Sequence, residues 1–517
     1  MAEKEDQHKE NREFDSPPTW EADEKKKKTL TATVVTAKQE KMTIIEAPND
    51  ASNGQVVRMA VALSAITTTP VKVLKIRALE KTPGMTPGLV AIVKWLANNT
   101  SAELEGNKLG SETLSFVPKH TIPPKLINKE IKLNTGSMTA SSVIFLETVL
   151  PVLLFVGGGS PSVNAKIKQQ PVEVSIDGAS NCLEAPSYEY LDQIYLPALE
   201  KFFGIQIISQ LTRRGWSQMT PDPKTVQKGK IRVKFMPLEV GTTLQPRDNV
   251  KLCDDDEHEL LNLMSSSTLA VTSGNVLPNS SNCNGNQDSD TSDSSDSGNG
   301  ATSLTYGTRF PDTTIERLTA TIVTAAIFHR PLMDALREDI ENRFPGAELT
   351  LTCEESGHID RFYVLLVARS RHCQWARDVL SSKRLKEMHV ASLAKETSSQ
   401  VVKELESEVN GSLRGDCPID VHLQDQLVIF QALAEGKTCF PRNRRDQSAE
   451  AALRNLHPDF PLKEDDLTTL GFKDSLSNDS EHAHRARYVA KMMLPDAKFY
   501  NGGKVCVGAA LQAGGKK

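Results

Sequence analysis

The eight cysteines of this 517-residue chain form no C-x-x-C pair and follow no regular spacing. Such scatter points to reduced thiols in a cytosolic or nuclear setting and argues against both a zinc site and a disulfide framework. A strong charge of one sign is also lacking: 61 basic residues stand against 66 acidic ones, for a formal net charge of −5. Binding to a polyanion would therefore have to come from a local patch. No apolar run reaches the ~18–20 residues of a membrane span; the longest, Val143 to Gly157, is broken by Glu147 and Pro151. The Glu/Lys-rich start has no apolar leader region, so no secretory signal is expected there. Lys25 to Lys28 would make a weak nuclear signal, though a charge run in a polar tail is the simpler account. The expected location is nuclear, nucleolar or cytoplasmic.

What is present is enough apolar content, 38% of residues, to build real cores in two or three domains. Residues 1–28 are charged and poor in aromatics, hence a disordered tail. Order then follows a pattern. Met42 to Ile45 reads as a strand, Gln55 to Ile66 as a helix, Val71 to Ile76 as a strand, Thr86 to Asn98 as a helix, and Ala102 to Leu104 and Leu114 to Val117 as strands. The same β-α-β-α-β-β order returns from Ile131-Lys132-Leu133 through helices at Ala140 to Phe155 and Leu191 to Phe202, ending in strands Ile205 to Leu211 and Ile231 to Phe235. A repeated order is worth more than any single assignment, because each copy checks the other. It implies two helices on one face of a four-stranded sheet, an α+β layered architecture. On this reading residues 29–240 hold two repeats.

Residues 241–310, dominated by Ser, Asn, Asp and Gly beyond Asn249, cannot bury enough apolar area to offset chain entropy and are expected to be disordered. An alternating stretch from Leu318, a helix beginning at Pro331, and strands at Leu349 to Leu351 and Phe362 to Val367 predict a small separate βαββ domain over 311–385, inserted in the larger fold. A third repeat should fill 386–517, with a first helix within Ala391 to Val409 and a polar excursion over 438–480.

Two stretches in that third repeat carry candidate chemistry. In His422-Leu423-Gln424-Asp425-Gln426-Leu427-Val428-Ile429-Phe430, residues Leu423, Leu427, Phe430 and Ala434 recur at helical spacing and mark one buried stripe. His422, Asp425 and Gln426 then share a face near the helix start, where free backbone N–H groups also point outward. Such a cluster is able to hold a nucleotide, although a solvated face on a core helix is the commoner meaning of such residues. His482 sits at the turn entering the second helix of its unit. A helix N-terminus favours phosphate and disfavours an imidazolium, so a histidine there stays neutral with a ring nitrogen able to attack phosphorus. An ordinary surface histidine beside His484 is the plainer alternative.

The segment His422 to Val428, followed by Ala434-Glu435-Gly436, resembles the nucleotide-binding signature of the RNA 3'-terminal phosphate cyclases. Ser480-Glu481-His482-Ala483-His484-Arg485-Ala486-Arg487-Tyr488-Val489-Ala490 is similar to the segment of that family whose histidine becomes adenylylated, which implies the role for His482 and not for His484. Gly178 to Asn181 and Ala185-Pro186-Ser187-Tyr188-Glu189-Tyr190 resemble the stretch whose proline packs on adenine. The resemblance therefore places Pro186 on one adenine face and His422 on the other, with Leu423, Gln424, Asp425, Gln426 and Glu147 about the nucleotide. Gly54-Gln55-Val56-Val57-Arg58, Lys75-Ile76-Arg77-Ala78, Leu146 to Phe155 and Arg214-Gly215-Trp216 match further family segments. They imply that Gln55, Arg58 and Arg77 bind phosphates. The implied fold is three β-α-β-α-β-β units, the third interrupted by an inserted domain.

The implied activity is ATP-dependent conversion of an RNA 3'-phosphate into a 2',3'-cyclic phosphate, with Mg2+ or Mn2+ on the triphosphate. The sequence departs from the family at several points. The glycine-rich loop reads Asp50-Ala51-Ser52-Asn53, with Ala51 in place of a glutamate expected to help hold the divalent ion and Asp50 the adjacent carboxylate left to do so. Glu80 replaces an arginine, Pro87, Gly88 and Leu89 replace an arginine and a Gln-His pair, and Glu147 replaces a glutamine. Each lost charge-assisted contact typically costs a few kcal/mol of transition-state stabilisation. The alternative is therefore a catalytically impaired cyclase-like protein that binds RNA or serves assembly, like the nucleolar cyclase-like proteins of ribosome biogenesis.

Overall fold

The computed structural model describes residues 42–47, 54–124, 126, 129–157, 170–183, 185–217, 224, 226–247, 251–252, 314–370, 373–381, 389–410, 419–439, 464–465, 467, 481–500, 503 and 505–514. The tail 1–28, the loop with Asp50, the serine-rich stretch 253–310 and most of 438–480 lie outside them.

The first unit runs β1 (Thr43–Glu46), α1 (Gly54–Thr67), β2 (Val71–Leu74), α2 (Pro87–Thr100), β3 (Glu103–Glu105) and β4 (Leu114–Val117). Its strands lie in the order β1-β2-β4-β3, with β1 parallel to β2 and the other pairs antiparallel. The second unit runs β5 (Ile131–Asn134), α3 (Ser142–Leu154), β6 (Val172–Gly178), a compound helix α4, then β7 (Ile207–Arg213) and β8 (Gly229–Phe235). Its sheet order, β5-β6-β8-β7, repeats the plan. Helix α4 joins Tyr188–Tyr190, a π-helical turn at Leu191–Tyr195 and Leu196–Phe203. Helices α1 and α3 are apolar nearly all round, as helices enclosed by a core must be. Gln55 and Arg58 on α1 and Glu147 on α3 are thus conspicuous polar residues on buried helices.

The third unit starts earlier than the sequence suggested. Its first strand, β9 (Lys251–Leu252), lies inside the stretch expected to be disordered, and Leu244 just before it is buried with its carbonyl accepting from Glu435 N at 2.9 Å. The inserted segment follows: β10 (Arg317–Thr324), α5 (His329–Arg343), β11 (Glu348–Glu355), β12 (Phe362–Arg369), β13 (Gln374–Ser381) and α6 (Val390–Asn410). The unit resumes with α7 (Val421–Leu433), β14 (Lys437–Cys439), α8 (Glu481–Met493), β15 (Lys498–Tyr500) and β16 (Val505–Val507). The sheet β9-β14-β16-β15 keeps the order of the other two, but β9 runs antiparallel to β14.

Two expectations about the inserted segment need correction. The helix over 390–410 belongs to it and not to the third unit, because Leu393, Ala394, Val401, Val402 and Leu405 pack in one core with Leu318, Leu332, Leu336 and Phe362. Nor is it a separate body. Val323, Tyr363, Leu365, Val367 and Ala376 on the other face of its sheet belong to the main core. This explains why Phe362 to Ala368 is an unbroken apolar run: both faces of β12 are covered. No helix among the described residues is long and apolar enough to cross a membrane.

Candidate active site

Polar side chains from all three units meet where the first helix of each unit approaches its neighbours. Gln55 Nε2 donates to Asp425 Oδ2 at 2.5 Å, linking the second residue of α1 to α7. Gln426 Nε2 donates to Glu147 Oε1 at 2.8 Å, linking α7 to α3. His482, exposed at the second position of α8, lies with Nδ1 3.3 Å from Gln55 Oε1. Since the Gln55 amide donates to Asp425 through its nitrogen, its oxygen accepts from Nδ1 of His482, which in the neutral imidazole leaves the lone pair on Nε2.

The electrostatics are set by two acids sharing one base. Burial pushes Glu147 up to about 8, opposed by the Arg58 guanidinium and reinforced by Asp425. Burial likewise raises Asp425 to about 7, against the Gln55 hydrogen bond and Arg58. Arg58 itself is lowered by burial while Glu147 and Asp425 hold it up. Near neutral pH the cluster thus retains a proton, and Glu147 spends much of its time as a neutral acid, close in shape to a glutamine.

The remaining candidate residues are placed as follows. His422 is exposed, Gln424 is half-buried, and Leu423 is buried in the helix's core stripe. Pro186 is half-buried and immediately precedes Ser187, the N-cap of α4. Arg77 turns back on its own loop: Nη1 donates to Thr82 O at 3.1 Å and Gly84 O at 3.2 Å, and Nη2 lies 3.9 Å from Glu80. Asp50 lies outside the described residues. Among the described residues no group of three His, Cys, Asp or Glu side chains is placed to hold a metal ion.

The head of α7 differs from its expected form. The N–H groups of His422 and Leu423 both donate to Asp420 Oδ1 at 3.0 Å, and Val421 N donates to Glu408 Oε1 at 2.9 Å. These donors are taken by carboxylates rather than offered to a phosphate. Asp420 was missed in the sequence, although an Asp just before the helical pattern is an N-cap signal; for Glu408 on α6 there was no signal, since nothing local points from one helix to the next.

A family model described as RNA 3'-terminal phosphate cyclase matches residues 50–460. This chain belongs to that family. Similar cyclases include those of Methylococcus capsulatus, 29% identical over 35% of this chain and 45% of the relative, and Pyrococcus abyssi, 34% identical over 34% and 45%. A Drosophila melanogaster cyclase is 30% identical over 34% of this chain and 44% of its own length. The matched stretch spans under half the length of each of these curated cyclases.

Proposed function

We propose that this chain is an RNA 3'-terminal phosphate cyclase that works through a histidine-bound adenylate. The observation that carries the reading is the hydrogen-bonded series Asp425, Gln55, His482, which orients the imidazole beside the polar face of α7. His482 Nε2 forms a bond to the α-phosphorus of ATP as the bond to the departing pyrophosphate breaks. The RNA 3'-phosphate oxygen then displaces His482 from that phosphorus. Finally the neighbouring 2'-hydroxyl attacks the 3'-phosphorus, releasing AMP and losing its proton to solvent. Gln55 holds the ring tautomer, in the way an orienting group serves a nucleophile. Arg58 supplies positive charge toward the phosphates.

The residues suit a nucleotide. The buried Oε1 of Gln426 has no hydrogen-bond partner among the described residues, which leaves an acceptor for a nucleotide hydroxyl or amino group. Pro186 and His422 would cover the two faces of adenine. Mg2+ or Mn2+ would neutralise charge on the triphosphate.

Arg77, engaged with its own turn and Glu80, favours a second reading: a cyclase-like protein that binds RNA or supports ribosome assembly without the chemistry. Incubation with α-labelled ATP separates the two. Acid-labile, alkali-stable label on the native chain and none on His482→Ala supports the enzyme. No label with either divalent ion supports the second reading.

A further inference from the structure

Ser187, at the head of α4, is gripped from the inserted segment: its hydroxyl lies 2.6 Å from the Tyr363 hydroxyl of β12, and Tyr363 donates to Asp378 Oδ2 of β13 at 3.0 Å. Since Tyr363 donates to the carboxylate, it accepts from Ser187, whose oxygen in turn accepts from Tyr190 N at 3.0 Å and caps α4. Tyr190 carries the series onward. Its hydroxyl donates to Asp420 Oδ1 at 2.7 Å, the same oxygen that caps His422 and Leu423 at the head of α7. Ser187, Tyr190, Tyr363 and Asp420 are all buried, so the bonds among these four residues are made where water cannot replace them.

The inserted segment holds the same two elements at other points. Glu408 of α6 caps Val421. At the π-helical turn of α4, the Gln193 carbonyl accepts from Arg369 Nη2 at 3.2 Å and Gln374 Nε2 at 2.7 Å, and Gln193 Nε2 donates to Thr321 Oγ1 at 2.9 Å. A π turn displaces backbone carbonyls from the regular ladder, which makes such a grip possible.

We infer that Tyr363 is a positioning residue of the nucleotide site, through which the inserted segment sets the placement of Pro186 and His422 relative to each other. Pro186 precedes Ser187 and His422 follows Asp420 by two residues, so the two proposed adenine contacts ride on the two helix heads that this series joins. The inserted segment thereby works as a brace for the adenine clamp rather than as an appended module. This inference rests on the proposed nucleotide site for its consequence, but the coupling itself is measurable without any turnover.

The test is amide hydrogen exchange on the full chain and on Tyr363→Phe, which removes only the hydroxyl, with melting curves to show that both are folded. Exchange about tenfold faster at 187–191 and at 421–424 together is the expected result, the scale of one lost buried hydrogen bond. Faster exchange confined to 360–380, or no change at either helix head, overturns the inference. Ser187→Ala combined with Tyr363→Phe should cost less than the sum of the two single changes, because both remove the bond between Ser187 and Tyr363; full additivity would also overturn it. Where the chain adenylylates, Tyr363→Phe should raise the ATP concentration for half-maximal labelling several-fold with the saturating rate nearly unchanged, and an effect on the rate alone counts against the brace. If the native chain takes no label, the exchange pattern still decides the coupling while the proposed function fails by itself.

Discussion

Gln55 and Asp425, 370 residues apart in the chain, share a 2.5 Å hydrogen bond, and the far side of the same amide faces His482. One side chain from the first unit thus orients two residues of the third.

Replacing Gln55 by Ala removes the acceptor for His482 Nδ1–H and the donor to Asp425. On the proposed mechanism the histidine adenylate should then form about 10–100-fold more slowly, the usual scale for a lost orienting partner. Single-turnover labelling with α-labelled ATP measures this, and a rate equal to the native one removes Gln55 from the proposed mechanism.

Glu147 makes stability depend on pH. In the unfolded chain a glutamate releases its proton at about pH 4.3, whereas in the fold it is held up to about 8. Between those values the folded state binds the extra proton, so its stability is present below the window and falls as pH rises through it. Asp425, raised to about 7, acts in the same direction. Glu147→Gln keeps an oxygen for Gln426 Nε2 and cannot ionise. Its melting temperature should lie near the native value at pH 5 and several degrees above it at pH 9; a constant difference across that range would contradict the assignment.

Arg58→Ala leaves two acids without their shared cation. Removing one partner of a buried charge group costs about 3–5 kcal/mol, to be read from urea unfolding at pH 8. Because both carboxyls accept protons more readily below pH 6, the loss should shrink there, and a pH-independent loss would point to packing alone.

Asp420→Ala deletes the cap of α7 and the acceptor of Tyr190, and should cost about 1–2 kcal/mol. Asp420→Asn should recover most of that, since an asparagine oxygen caps as well. Chemical denaturation of the two variants separates capping from charge.

Several elements were legible before any coordinates. Leu423, Leu427, Phe430 and Ala434 are all buried, as their spacing required. His482 does stand at the start of its unit's second helix, because the repeated order of elements located that turn. Tyr363 was visible only as part of an apolar strand, and its hydroxyl has meaning only through Ser187, 176 residues away. The strand at Lys251–Leu252 escaped notice because two residues carry no periodicity, and its pairing with β14 alone defines it. The helix over 390–410 was seen but assigned to the wrong unit, since an amphipathic stripe does not name the surface it will cover.

By itself the sequence determined most of the elements, their repeated order and the residue types able to handle phosphate, because side-chain periodicity and helix-end chemistry act over a few neighbouring residues. Only the tertiary structure decided that Gln55 serves both Asp425 and His482, that carboxylates close the head of α7, and that Glu147 keeps its proton near neutral pH. Those outcomes come from desolvation and from contacts between segments hundreds of residues apart, and both exist only once the chain has folded.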